Sequence, residues 1–168
     1  MHRSRRAFGV GAAHNRSINR TASGSRLSPT LVAIATPLPV NDVLTRLAEL
    51  HDVPVQLEGI LAAHDEGYEV QHYPKLERQS EYVEGDTSYQ SGIWLAFGDG
   101  SIRPNERALS RWNGKRVRIS GVIRSLSSLP SLEWAGKGGF GPWGRWPAEI
   151  ETYSIQRVTA EERRQYGV

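Results

Sequence analysis

The sequence predicts a mainly β domain, a small barrel of five strands with one helix between the third and fourth and an extra helix ahead of the first. Three observations lead there. Residues 114–125 alternate, with Val117, Ile119, Gly121 and Ile123 on one side of an extended chain and Arg116, Arg118 and Ser120 on the other. That is the period of a half-buried strand. Residues 54–63 repeat the pattern: Val-Gln-Leu-Glu-Gly-Ile-Leu matches Val-Arg-Ile-Ser-Gly-Val-Ile, each broken by a glycine that suits a bulge or sharp bend. Helical spacing of apolar residues is confined to residues 41–51 and to a short stretch after Asn105.

Taken in order, residues 1–40 form a basic leader and linker, and residues 41–168 a single domain. The leader carries six arginines and no acid, for a charge of +6, which leaves 15 basic against 18 acidic side chains in the rest, or −3. Without a usable hydrophobic period, residues 1–30 read as an unstructured tail or as the product of a start placed too far upstream. Ser4-Arg5-Arg6-Ala7-Phe8 resembles the opening of a twin-arginine export signal, but His14, Arg16 and Arg20 interrupt the apolar segment that should follow. An organellar transit peptide or a phosphate-touching arm are the other readings of this leader. With no export signal accepted, the expected compartment is the cytoplasm. Pro37 and Pro39 make residues 31–40 a linker rather than a helix.

Asn41 is the expected N-cap of a helix over 41–51, whose Val43, Leu44, Leu47 and Leu50 form one stripe. The first bent strand follows, then the turn His64-Asp65-Glu66-Gly67 and a return strand over 68–73. Residues 77–92 are polar and read as a long exposed loop. Ile93-Trp94-Leu95-Ala96-Phe97 is apolar on both sides, hence a central strand, and Gly98-Asp99-Gly100 turns the chain. Asn105 caps the second helix, which Asn113-Gly114 ends. After the strand at 114–125 comes a glycine-rich loop to residue 147, then a last strand over 148–158 whose inward side switches near Thr152 and Tyr153. Residues 159–164 read as a frayed turn of helix.

This order, together with Gly-Lys-Arg-Val-Arg-Ile-Ser-Gly-Val-Ile at 114–123, resembles the OB-fold over about residues 53–158, and the quoted stretch is similar to the fourth strand of many bacterial OB-type domains. The resemblance implies a Greek-key barrel whose ligand face is bordered by the loop between the fourth and fifth strands. The helix at 41–51 lies outside that common barrel.

Several chemistries find no support. The chain has no cysteine, so disulfides, thiolate metal sites and cysteine nucleophiles are excluded. No run nears the roughly 20 apolar residues of a membrane-spanning helix. His64, Asp65 and His72 offer metal-ligand types without the one-turn spacing of a metal-binding helix. Glu149 and Glu151 share a strand face, and are expected to be solvated edge charges with nothing to raise a pKa. Gly136-Lys137-Gly138-Gly139 lacks the Ser or Thr that a phosphate loop places after its lysine.

One stretch looks made for contact. Phe140, Trp143 and Trp146 stand among glycines beside Arg145. Trp and Arg dominate the energetic centres of protein interfaces, and aromatic rings also stack on the bases of single strands. The competing structural reading is that Trp143 and Trp146 fold back to plug the barrel mouth. The favoured function is a non-enzymatic, cofactor-free module that binds a protein partner, in an adaptor or inhibitor role such as that of a bacterial immunity-like protein. The −3 balance of residues 41–168 and the acidic stretch 77–92 support it. The alternative, implied by the resemblance, is single-stranded DNA or RNA binding, with Arg116, Arg118 and Arg124 tracking the backbone while Trp143 and Trp146 stack. A metal-dependent enzyme around His64 and His72 ranks third.

Overall fold

A computed structural model of the chain describes residues 36–98, 101–126 and 138–159. The leader, the turn at 99–100, residues 127–137 of the long loop and the C-terminal turn from 160 lie outside the described residues. The mainly β expectation holds. A short strand β1 (Leu38–Pro39) runs into helices α1 (Val40–Thr45) and α2 (Leu47–Leu50). Strands β2 (Pro54–His64), β3 (Gly67–Gln71), β4 (Tyr82–Glu84), β5 (Thr87–Tyr89) and β6 (Gly92–Ala96) follow, then helix α3 (Glu106–Trp112) and strands β7 (Arg116–Ser125) and β8 (Ala148–Arg157).

The strands make a mixed six-stranded sheet in the order β1-β2-β3-β6-β8-β7, and β7 also pairs with β2, while β4 and β5 pair separately. All the long pairings are antiparallel, and only β1–β2 and β6–β8 are parallel. Strand β2 does double duty. Residues from Pro54 to Ile60 pair with β7, and residues from Ile60 to His64 pair with β3. Gly59 sits at that handover, where a Cβ would lie 2.4 Å from the Gln71 carbonyl oxygen. Gly121, the matching position in β7, faces β8 so closely that a Cβ would lie 2.2 Å from the Glu151 carbonyl oxygen. Both glycines are therefore required by close backbone approach. The pairing register shifts between Ser120 and Gly121, opposite Ser154 and Thr152, so the extra residue is Tyr153 of β8. The inward side of β8 changes there, from Ala148, Ile150 and Thr152 to Ile155, as the sequence predicts.

The inward residues Val55, Leu57, Leu61, Ile93, Ile119 and Ile150 meet in one core, which α1, α2 and α3 join through Leu44, Leu47 and Leu109. Each such side chain contributes about 1.5–3 kcal/mol on leaving water. Asn105 caps α3 as expected, its side-chain oxygen accepting the Ala108 amide at 3.1 Å. Tyr68 donates to Glu106 at 2.6 Å and so ties α3 to β3; that bond to a carboxylate, with burial, pushes the Tyr68 hydroxyl pKa up.

Two expectations need correction. The helix over 41–51 is two short helices broken at Arg46 (φ −120°, ψ 23°), and it starts after Pro39 rather than at an Asn41 cap. Asn41 is drawn off to a tertiary contact, its amide donating to the Glu77 carbonyl at 2.8 Å. Residues 77–92 are not an open loop, because β4 and β5 form a hairpin around Gly85, with Tyr82 opposite Tyr89. Strands of three residues are too short for their period to show in sequence. Among the described residues, no helix is long and apolar enough to cross a membrane.

Candidate binding cleft

The loop entering β8 is pinched into a small ring. Phe140 and Trp146 exchange backbone hydrogen bonds of 2.8 and 3.2 Å, and a 3₁₀ turn at Pro142–Gly144 makes the tip. Gly141 (φ 65°) lies flat on two indoles, since a Cβ there would sit 2.7 Å from the Trp146 ring and 2.9 Å from that of Trp94. A side chain at Gly141 would lift the loop off the sheet.

The two tryptophans of the loop have opposite fates. Trp146 is 3% exposed, packs on Trp94 with ring centroids 4.5 Å apart, and donates its indole N–H to Glu69. Trp143 is 85% exposed, and its backbone is left-handed (φ 61°, ψ 18°), a conformation unfavourable for any residue with a Cβ. Trp146 thus folds back as the competing reading expected, but onto Glu69 and Trp94 on the outward side of β3 and β6 rather than into the core. Trp143 does not fold back.

Glu69 anchors Trp146. It points outward from β3 yet is 3% exposed, and a buried carboxylate needs donors. It has two, the Trp146 indole and the Gln71 amide, and His64 Nε2 lies 3.0 Å from its Oε1. The His64 ring also stands edge-on to Trp146, with centroids 5.5 Å apart. Sequence reasoning missed Glu69 and Trp94 as parts of this site. An acid between Tyr68 and Val70 looks like the solvated side of a strand, and only the register pairing Glu69 with Trp94 brings it beneath the loop.

Between the β2–β3 turn and this loop lies a cleft of about 270 Å³. His64, Asp65 and Glu66 form one side, and Pro142, Trp143, Arg145 and Trp146 the other. A second cleft of about 250 Å³ opens on the other side of Arg145, against Ser80, Glu81, Ser88, Tyr89 and Gln90 of the β4–β5 hairpin. Arg145 is exposed and makes no ion pair among the described residues.

The remaining predicted contact residues lie elsewhere. Arg116 and Arg118, each 18% exposed, flank Glu58 on the outer face of β2 and β7. Arg118 grips Glu58 with two nitrogens at 3.0 and 3.2 Å. Arg116 makes an ion pair with Glu58 without aligned hydrogen-bond geometry, and its guanidinium lies 4.7 Å over the Tyr73 ring. Arg124 binds Asp52 and Glu151. Loss of water lowers its pKa, but the hydrogen bonds to Glu151 and Asp52 outweigh that, and the net direction is up. The structure therefore gathers Phe140, Trp143, Arg145 and Trp146 into one loop and sets the three β7 arginines in ion pairs on another face.

Glu149 corrects another expectation. Burial raises its carboxyl pKa above the ordinary 4.5, with Arg124 opposing and Glu151 reinforcing the shift. His64 and His72, joined in the metal reading, have separate partners. His72 is buried and its Nδ1 accepts the Asn41 backbone N–H at 3.3 Å. No group of three or more His, Asp or Glu able to hold a metal occurs among the described residues.

No family model and no curated protein matches this chain. Among solved structures, it is similar to asparaginyl-tRNA synthetase from Pyrococcus horikoshii, complexed with asparaginyl-adenylate, at 12% identity and a TM-score of 0.34. The match covers 68% of this chain and 21% of that one, so the chain spans about a fifth of the synthetase's length.

Proposed function

We propose that this chain is a non-enzymatic binding module on an OB-type barrel, and that it takes a protein partner at the cleft between the β2–β3 turn and the loop before β8. The barrel reading is supported by the cycle of pairings β2–β3–β6–β8–β7–β2 and by α3 between β6 and β7. One observation carries the functional reading: Trp143, 85% exposed on left-handed backbone, at the rim of a cleft faced by Asp65 and Glu66. An indole held in water is unfavourable for the free protein and favourable once covered, which is how interface anchors work. A partner with an apolar contact beside a basic group matches both sides of the cleft. An adaptor or inhibitor role, immunity-like in kind, fits such a surface.

Single-stranded nucleic acid is the second reading, favoured by Arg145, exposed next to Trp143 and without an ion pair among the described residues. Against it, Arg116, Arg118 and Arg124 are already engaged with carboxylates, and Asp65 and Glu66 repel phosphates. The deciding experiment is titration of the full chain with a fluorescent oligothymidylate at low and moderate salt. Binding that falls steeply with salt and disappears in Trp143→Ala would assign the cleft to nucleic acid, through counterion release. The expected result is no binding in this cleft at either salt.

A further inference from the structure

We propose that the segment this module receives is an extended basic peptide laid across both clefts, with one cationic side chain in each and Arg145 between them. The inference rests on reading the first cleft as a protein-binding surface and adds the chemistry of the bound segment.

Arg145 lines both clefts, so the two adjoin at this residue, and an extended peptide that crosses it would use them as one groove with a cationic divider. At about 270 and 250 Å³, each falls below the roughly 300–1,000 Å³ of an ordinary small-molecule pocket. Each has room for a side chain rather than a whole ligand. The backbone that carries the divider is held in place, because the Gln90 amide donates to the Arg145 carbonyl at 2.8 Å and fastens the loop to the end of β5. The two halves of the groove therefore keep a constant spacing, which a peptide can match.

Charge selects the peptide. Asp65 and Glu66 face the first cleft and Glu81 the second, and none of the three is in an ion pair among the described residues. The first cleft also offers the exposed Trp143 ring, the largely buried Tyr89 ring forms part of the wall of the second, and a guanidinium or ammonium binds between carboxylates and ring faces. Arg145 repels a cation midway and offers its donors to a peptide carbonyl instead. The preferred pattern is basic, neutral, basic in an extended chain.

The test is titration of the isotope-labelled full chain with blocked Gly/Ser peptides that carry one arginine, or two arginines set progressively further apart. Backbone amides and the Trp143 indole N–H are followed by NMR, with affinities from calorimetry. One spacing should bind about tenfold or more tighter than the single-arginine peptide, as a second tethered contact does. It should shift the amides of Ser88, Tyr89 and Gln90 along with the Trp143 indole. Glu81→Gln, checked for an unchanged spectrum, should reduce the best peptide to the single-arginine level and leave the single-arginine peptide unaffected. Equal binding by all basic peptides, with residues 88–90 silent, overturns the two-cleft inference but leaves the first cleft as a binding site. Absence of any shift with basic peptides, with shifts from oligothymidylate instead, overturns the protein-binding reading itself.

Discussion

Arg118 and Arg145 are the same side chain in opposite settings. Arg118 lies on the wall formed by β2 and β7 with its guanidinium on Glu58, and Arg145 is exposed between two clefts without an ion pair among the described residues. The β7 face has satisfied its charges within the molecule, so its arginines serve to hold β2 against β7. Among the described residues, the loop face leaves Arg145, Asp65, Glu66 and Glu81 without an ion pair, although Glu81 accepts the Ser88 hydroxyl, and it leaves the Trp143 indole exposed. In a chain of alternating and helical patterns, the residues that have not found internal partners mark where an external one belongs.

Substitutions can break this contrast, and the largest effect belongs to the wall. Gly121→Val puts carbon against the Glu151 carbonyl and is expected to cost at least about 3 kcal/mol, visible as loss of the cooperative urea transition. Glu58→Ala comes next, because it leaves two largely buried guanidiniums without their carboxylate. It should cost about 3 kcal/mol, and adding Arg118→Met should recover part of that in a double-mutant cycle. Equal stability of Glu58→Ala and wild type would show that the wall arginines are as free as Arg145.

Glu69→Ala lies between the two regions. It strands the Trp146 indole N–H and is expected to cost about 2 kcal/mol, with the loop loosened and the tryptophan emission shifted to the red. Trp143→Ala and Arg145→Ala should each change stability by less than about 0.5 kcal/mol while weakening partner binding about tenfold or more. If either destabilised the fold as much as Glu58→Ala, the loop face would belong to the core and the contrast would be lost. The smallest effect is that of pH. Glu149 has a folded pKa above its ordinary 4.5 because burial disfavours its charge. Its contribution to stability is present below that value and lost as pH rises through the folded pKa. Glu149→Gln should therefore gain on wild type as pH rises from about 4 to 7, in paired urea curves.

Much of the framework was legible. Strict alternation located β2 and β7, a run apolar on both sides located β6, and a last strand with a switching inward side located β8. Asn105 announced α3, and the two glycines read as bends where the structure shows backbones nearly touching. The inward switch at Thr152 and Tyr153 was readable because the apolar residues themselves change parity. The break at Arg46 and the β4–β5 hairpin were not, since short elements leave no period and Asn41 was claimed by Glu77. The candidate site was half legible. Its loop stood out by its aromatic and glycine content, but Glu69 looked like any outward acid, and nothing local separated Trp143 from Trp146.

By itself, the sequence determined which side of the alternating strands faces the core, where the chain bends at a glycine, and which residues are rich enough in contact potential to be candidates. Those are properties of a residue and its near neighbours along the chain, governed by strand and helix period. Tertiary structure alone decided which candidates remain available. Glu58 lies about sixty residues from Arg118 and Glu69 nearly eighty from Trp146 in the chain, and no local pattern records such pairings. Whether a charge is spent inside the fold or offered outside it depends on what the register brings opposite, and that is settled only when the strands meet.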